Sequence, residues 1–212
     1  MSFTMNDGKI KAPIIGISRH RLATDGKGAT TLVGFHGCPL RCRYCLNPHS
    51  FAEDTKRMIL TPEELYERVR IDQLYFLASG GGVTFGGGEP LLYPDFVRRF
   101  RALCGEHWRL SVETSLSVSR EAVLTVAEIA DEFIIDCKDT DPDIYRRYTG
   151  RENAVMLENL EALLARVPSE RVVLRLPLIP DFNDEARREK SRERLARMGV
   201  TRFDCFSYTV KK

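Results

Sequence analysis

Phe35-His36-Gly37-Cys38-Pro39-Leu40-Arg41-Cys42-Arg43-Tyr44-Cys45-Leu46-Asn47-Pro48 sets three cysteines at spacings of four and three on one short stretch. Thiolate sulfur is a soft ligand suited to iron–sulfur clusters and zinc, and three such ligands on one loop can hold one face of a metal centre. The absent fourth ligand separates the two. A four-iron cluster gripped by three cysteines keeps one iron open to a substrate or cofactor. A zinc site completed by His36 or His49 is the alternative, although structural zinc usually draws its ligands as two separated pairs, and no second pair of cysteines follows.

Working outward, residues 30–35 read as a short strand of β-branched and aromatic residues that delivers the chain into this loop. Upstream, residues 9–17 read as an edge strand, followed by a polar turn at 23–28 in which Asp25-Gly26 reads as a plain turn pair. Downstream, Thr61-Pro62-Glu63-Glu64 is a helix start with a Thr cap, leading a helix over 61–78 that glycines 80–82 end. Strands follow at 83–85, 109–112, 133–135, 171–178 and 202–208. Helices are expected between them at 94–104, 119–129, 153–167 and 184–198, with a short helical turn after Asp141-Pro142-Asp143. Such alternation means right-handed β–α units on a parallel sheet, and six of them are too few to close an eight-stranded barrel. The fold class is therefore α/β: a partial (β/α)6, TIM-like barrel in a single domain at 30–212, preceded by an N-terminal segment at 1–29.

The 212 residues are 43% hydrophobic with a formal net charge of +2, enough for one sizeable core and without an electrostatic pull toward nucleic acid or membrane. No apolar run approaches the ~20 residues a membrane span needs, and no signal peptide is visible, so a cytoplasmic setting is expected. Six cysteines there argue for metal or free thiols rather than disulfides. Cys104, Cys137 and Cys205 stand alone, and each reads as a buried free thiol.

Polar residues collect where strands end. The loop cysteines, Glu89, Glu113, Asp136 with Lys138, and Arg175 all fall at or near the ends of expected parallel strands, and in such folds ligands bind over the carboxyl ends. Gly86-Gly87-Gly88 lets backbone approach a ligand without an intervening side chain. Asp136 and Lys138, two residues apart, point to one side. Arg175 interrupts an apolar strand and needs a carboxylate or phosphate partner, either from a cofactor or from another strand-end acid.

The three-cysteine loop, together with Gly80-Gly81-Gly82-Val83-Thr84-Phe85-Gly86-Gly87-Gly88-Glu89-Pro90, resembles the radical S-adenosylmethionine superfamily, and within it the activating enzymes of glycyl radical enzymes, of the pyruvate formate-lyase activase type. The resemblance runs from about Asp25 to Tyr208. It implies a [4Fe–4S] cluster on Cys38, Cys42 and Cys45, with S-adenosylmethionine on the open iron. It implies cofactor contacts at Gly87, Gly88 and Glu89 for the amino group, at Tyr44, Leu46 and Asn47 beside the adenine, and at Glu113, Asp136, Lys138 and Arg175 along the rest, with Lys138 counted among the catalytic residues. One electron from flavodoxin or ferredoxin would cleave the sulfonium to methionine and a 5′-deoxyadenosyl radical, which takes hydrogen from a glycine of the partner enzyme, under oxygen-poor conditions. Glu113 stands where that family usually has Asp, and Thr209 follows Tyr208 where it has a Tyr-His pair. The substrate is thus left open: a small molecule, as for enzymes resembling 7-carboxy-7-deazaguanine synthase, or a peptide are the alternatives within the superfamily. A non-catalytic zinc-stabilised module is the alternative outside it.

Overall fold

The computed structural model describes residues 10–22 and 25–208. β1 (Ala12–Leu22) runs antiparallel to β2 (Ala29–Phe35), so the expected edge strand extends further toward its C-terminal end. Lys9, Ala23 and Thr24, which belong to the expected strand and turn, lie outside the described residues. β3 (Met58–Leu60) pairs antiparallel on the other side of β1. Three residues are too few to show a period, and the sequence pattern does not reveal this strand.

α1 (Pro62–Val69) starts on a reciprocal capping box: the Glu64 amide donates to the Thr61 hydroxyl at 3.2 Å, and the Thr61 amide donates to the Glu64 carboxylate at 2.8 Å. The single helix expected over 61–78 is broken, however, by a 3-10 turn at Arg70–Asp72 that precedes α2 (Gln73–Ser79). The break turns Asp72 inward, where its fully buried carboxylate accepts hydrogen bonds from Arg19 of β1 at 2.9 Å and Thr31 of β2 at 2.8 Å. A buried carboxylate held by two strands outweighs the modest propensity of one more helical turn.

Strand and helix then alternate through β4 (Gly82–Gly87), α3 (Pro94–Cys104), β5 (Arg109–Thr114), α4 (Arg120–Ala127), β6 (Glu132–Asp136), α5 (Pro142–Thr149), α6 (Ala154–Leu164), β7 (Val172–Leu178), α7 (Glu185–Arg197) and β8 (Arg202–Ser207). The turn expected after Asp141 is a helix, α5, whose first two amides donate to the Asp141 carboxylate. The sheet order is β3-β1-β2-β4-β5-β6-β7-β8, and β2 onward pair in parallel. Six parallel strands in a sheet with two free edges are the partial (β/α)6 barrel expected from the alternation.

Because side chains alternate across a strand, each parallel strand gives one row to the helices and one to the concave face. Val33 and Phe35, Val83 and Phe85, Leu110 and Val112, Phe133 and Ile135 are buried in the helix-side core. Phe85 meets Phe35 and Phe100 edge to face at 5.2 Å each, which locks β2 and β4 under α3. The opposite row carries Thr84, Gly86, Ser111, Glu113, Asp136, Arg175 and Asp204, and polar groups there can serve a ligand. Cys104 and Cys137 are buried thiols as expected, whereas Cys205 is exposed, because β8 is an edge strand among the described residues.

Candidate active site

The cysteine loop leaves the C-terminal end of β2 and is fixed by its backbone. His36 N–H donates to the Pro13 carbonyl at 2.8 Å and Gly37 N–H to that of Ser50 at 2.6 Å. Arg41 and Arg43 N–H donate to the carbonyls of Thr149 and Tyr148 at 2.8 and 3.0 Å, which docks the loop on the end of α5. His36 turns its Nε2 to the Ala52 carbonyl at 3.0 Å, and exposed His49 lines a separate hollow with Asp54 and Lys56.

The glycine turn after β4 is joined to that loop. Gly88 N–H donates to Phe35 O at 2.9 Å, and Glu89 N–H to Gly37 O at 2.7 Å. A Cβ on Gly88 would stand 2.2 Å from the Gly37 carbonyl oxygen, and one on Gly87, whose φ is +85°, would stand 2.7 Å from Gly34 Cα. Side chains are excluded by contact between two backbones, which is why glycine is needed at both positions.

Glu89 is buried and makes four hydrogen bonds. Its Oε1 accepts from Thr114 Oγ1 at 2.7 Å and Leu91 N–H at 3.2 Å; its Oε2 accepts from Ser115 N–H at 2.9 Å and Ser115 Oγ at 2.7 Å. Burial pushes this carboxyl up from its ordinary value, with the four donors opposing. The side chain is a strut between the glycine turn and the end of β5.

Beside it, in-register pairing lines up Asp136 of β6, Arg175 of β7 and Asp204 of β8. Arg175 donates to Glu113 at 2.8 Å and lies 3.5 Å from Asp204. The strand-end acid is thus its partner, and Glu113, although a methylene longer than the usual Asp, still meets a cation. Burial raises the Glu113 carboxyl, against the attraction of Arg175. Lys138 lies 3.1 Å from Asp136 and donates to the Tyr208 hydroxyl at 3.1 Å. Burial favours the neutral amine, but the Asp136 carboxylate and the hydrogen bond to the Tyr208 oxygen oppose it and hold the ammonium well above its usual value.

These groups meet. One cavity is lined by Cys38, Leu40, Cys42, Cys45, Leu46, Asn47, Gly87, Gly88, Glu89, Glu113, Thr114, Ser115, Asp136, Lys138, Arg175 and Tyr208. Of the cluster and cofactor residues that the family resemblance implies, Tyr44 alone is not in its wall. Its hydroxyl donates to Asp181 at 3.0 Å and its ring packs edge-on to Phe182 and Tyr148, outside the cavity. Asn47 instead reaches in and donates to the Gly87 carbonyl at 3.4 Å. Thr114, Ser115 and Tyr208 were not singled out. The hydroxyl pair directly after Glu113 was the available signal for the first two, while only the third dimension puts Tyr208 against Lys138.

The donor set fits an iron–sulfur cluster better than a single ion. Among the described residues, no three His, Cys, Asp or Glu side chains converge on one metal position, whereas all three cysteines line one cavity, as suits a cluster that takes one thiolate per iron. Burial pushes the Cys38 thiol up to about 12 and that of Cys42 to about 11, so ligation has to displace their protons.

A Radical SAM superfamily model matches residues 32–192, and the chain belongs to that superfamily, which uses a [4Fe–4S] cluster and S-adenosylmethionine. Several curated relatives are activating enzymes. The (2S)-3-sulfopropanediol dehydratase activating enzyme of Klebsiella oxytoca is 32% identical, over 76% of this chain and 69% of that protein. The pyruvate formate-lyase 2-activating enzyme of Escherichia coli K12 is also 32% identical, over 81% and 68%. Among solved structures, Streptococcus suis SuiB bound to S-adenosylmethionine shares the fold with a TM-score of 0.64 at 14% identity, covering 85% of this chain and 43% of that one. Neither the small-molecule, the peptide nor the zinc alternative is favoured by these relatives. No helix among the described residues is long and apolar enough to cross a membrane.

Proposed function

We propose that this chain is an activating enzyme for a glycyl radical enzyme, holding a [4Fe–4S] cluster on Cys38, Cys42 and Cys45 and S-adenosylmethionine between the cluster and the ends of β4 to β7. Together these two groups supply a radical able to take hydrogen from a glycine α-carbon. The chain's own residues bind and orient. Gly87 and Gly88 offer backbone to the amino end of the cofactor, and Leu46 and Asn47 border its adenine from the loop. Glu89 keeps the glycine turn in place, and Lys138, held by Asp136 and Tyr208, presents a cation beside Cys42. Arg175 and Glu113 close the floor of the cavity. Near contact of the reacting atoms before bond cleavage limits side reactions of so reactive a species. The electron comes from a flavodoxin or ferredoxin in a reducing, oxygen-poor cytoplasm, and the partner's glycine loop enters over the open face.

The observation that supports this reading is that three sulfurs from one loop line the same cavity as the glycine turn and four strand ends. Anaerobic reconstitution should give a brown protein with about four irons per chain, and addition of S-adenosylmethionine should change the EPR spectrum of the reduced cluster. An unchanged spectrum contradicts the open iron. Cys42→Ala should end 5′-deoxyadenosine formation, and full retention rejects the ligand assignment.

A further inference from the structure

Arg41 and Arg43 of the cysteine loop, neither of which lines the cavity, meet Arg146 and Arg147 of α5 around a separate hollow of about 610 Å³ that also includes Gly150 and Phe182. All four arginines are exposed, and Arg151 adjoins them, donating to the Pro39 carbonyl at 3.2 Å. Their positions are fixed from below: the Arg41 and Arg43 amides hold the last turn of α5, Arg41 lies over the Phe51 ring at 4.8 Å, and Arg147 over Phe182 at 5.5 Å. None of its lining residues is acidic. Asp143 and Glu152 pair with Arg146 at 2.7 and 3.2 Å, and Asp181 accepts from Tyr44, while Arg43 and Arg147 have no ion pair among the described residues. A chain with a formal net charge of only +2 has concentrated five guanidinium groups here, two of them directly flanking Cys42.

We propose that this arginine hollow is the docking surface for a small acidic one-electron carrier protein of the flavodoxin or ferredoxin type. The inference rests on the proposed cluster function and specifies where its electron enters. The cavity side must stay free for the cofactor and the glycine to be activated, so reduction has to arrive through the back of the loop. Arg41 and Arg43 stand one residue either side of a proposed cluster ligand yet do not line the cavity, and a positive surface around an electron-entry point raises the encounter rate of an acidic carrier. Guanidinium also suits the carboxylate-rich rim of such a carrier through bidentate pairing.

The test uses the reconstituted holoprotein, with a purified acidic flavodoxin reduced to its hydroquinone. Stopped-flow absorbance follows cluster reduction, and calorimetry follows binding of the oxidised flavodoxin, each across a salt series. Arg43→Glu/Arg147→Glu should slow reduction by at least about tenfold at low salt and flatten its salt dependence, with binding weakened in parallel. Arg43→Gln/Arg147→Gln should fall between. With dithionite in place of flavodoxin, iron content and S-adenosylmethionine cleavage should match the unaltered protein. Reduction and binding by flavodoxin at the unaltered rate and salt slope would overturn the proposal. So would a variant that flavodoxin reduces normally but that fails to activate the partner enzyme under dithionite, since the hollow would then serve the substrate protein. If the unaltered protein holds no cluster or cleaves no S-adenosylmethionine with dithionite, the functional reading fails, and the flavodoxin binding measurement still decides the docking.

Discussion

Replacing Glu89 by Gln tests whether the buried carboxylate is the strut that joins the glycine turn to β5. Both oxygens accept two hydrogen bonds each, from Thr114 Oγ1 and Leu91 N–H on one side and from Ser115 N–H and Oγ on the other. An amide keeps one acceptor oxygen and turns the other position into a donor. The two hydroxyls can rotate to accept from that new donor, but a backbone N–H cannot. Whichever way the amide is placed, either Leu91 N–H or Ser115 N–H is left facing an N–H group in a fully buried site. One buried donor without a partner costs about 1–3 kcal/mol. In a chain of this size each kcal/mol moves the melting temperature by about 2–4 °C, so a fall of about 2–12 °C is expected. Differential scanning calorimetry of the cluster-free protein measures it without interference from cofactor binding. A melting temperature within about 1 °C of the unaltered protein would show that the carboxylate does not hold this junction.

Gly88→Ala should be more damaging to the site than to the fold, because its methyl group would meet the fixed Gly37 carbonyl at 2.2 Å and drive the glycine turn off the cysteine loop; overpacking of about 1–3 kcal/mol and a loss of iron after reconstitution are the expected readouts, by thermal melt and iron assay. Lys138→Met should leave the iron content intact and weaken S-adenosylmethionine binding by about tenfold or more, the worth of one hydrogen bond from a charged donor, as measured by anaerobic calorimetry; Tyr208→Phe, which removes the hydroxyl that Lys138 reaches at 3.1 Å, should give a smaller effect in the same direction. Asp72→Asn should destabilise the junction of β1, β2 and α2 by about 1–2 kcal/mol at neutral pH, because the Arg19 partner is partly solvated and the Thr31 bond can persist. Burial alone would raise the Asp72 carboxyl, but hydrogen bonds from Arg19 and Thr31 and the nearby cations outweigh it and hold it below its ordinary value. Its contribution is therefore present above about pH 4 and lost as pH falls through the lowered value, so denaturant midpoints of the two proteins should differ at pH 7 and converge in acid.

Much of the architecture could be read before any coordinates. The Thr61-Pro62-Glu63-Glu64 start, the alternation from Gly82 to Ser207 and the six parallel strands follow from caps and periods that act over a few residues. Local pattern falls short where distant parts of the chain decide. The residues of α1 and α2 all tolerate one continuous helix; the break exists for the sake of Asp72 and its partners on β1 and β2. For Tyr44, which the resemblance puts beside the adenine, tertiary packing adds what sequence does not show: its ring meets Tyr148 and Phe182 and its hydroxyl Asp181, none of them near it in sequence.

The same division holds for the site. Ligand type and spacing are local chemistry, so Cys38, Cys42 and Cys45 announced a metal-binding loop by themselves, and strand ends announced where polar residues would gather. What lies between those points is set by packing. That Gly88 is a glycine because Gly37 passes 2.2 Å from where its Cβ would be, that Glu89 spends its four acceptor sites on the protein, and that Lys138 rests on Tyr208 are consequences of which strands become neighbours, and neighbour relations in a parallel sheet join residues that sequence distance keeps apart.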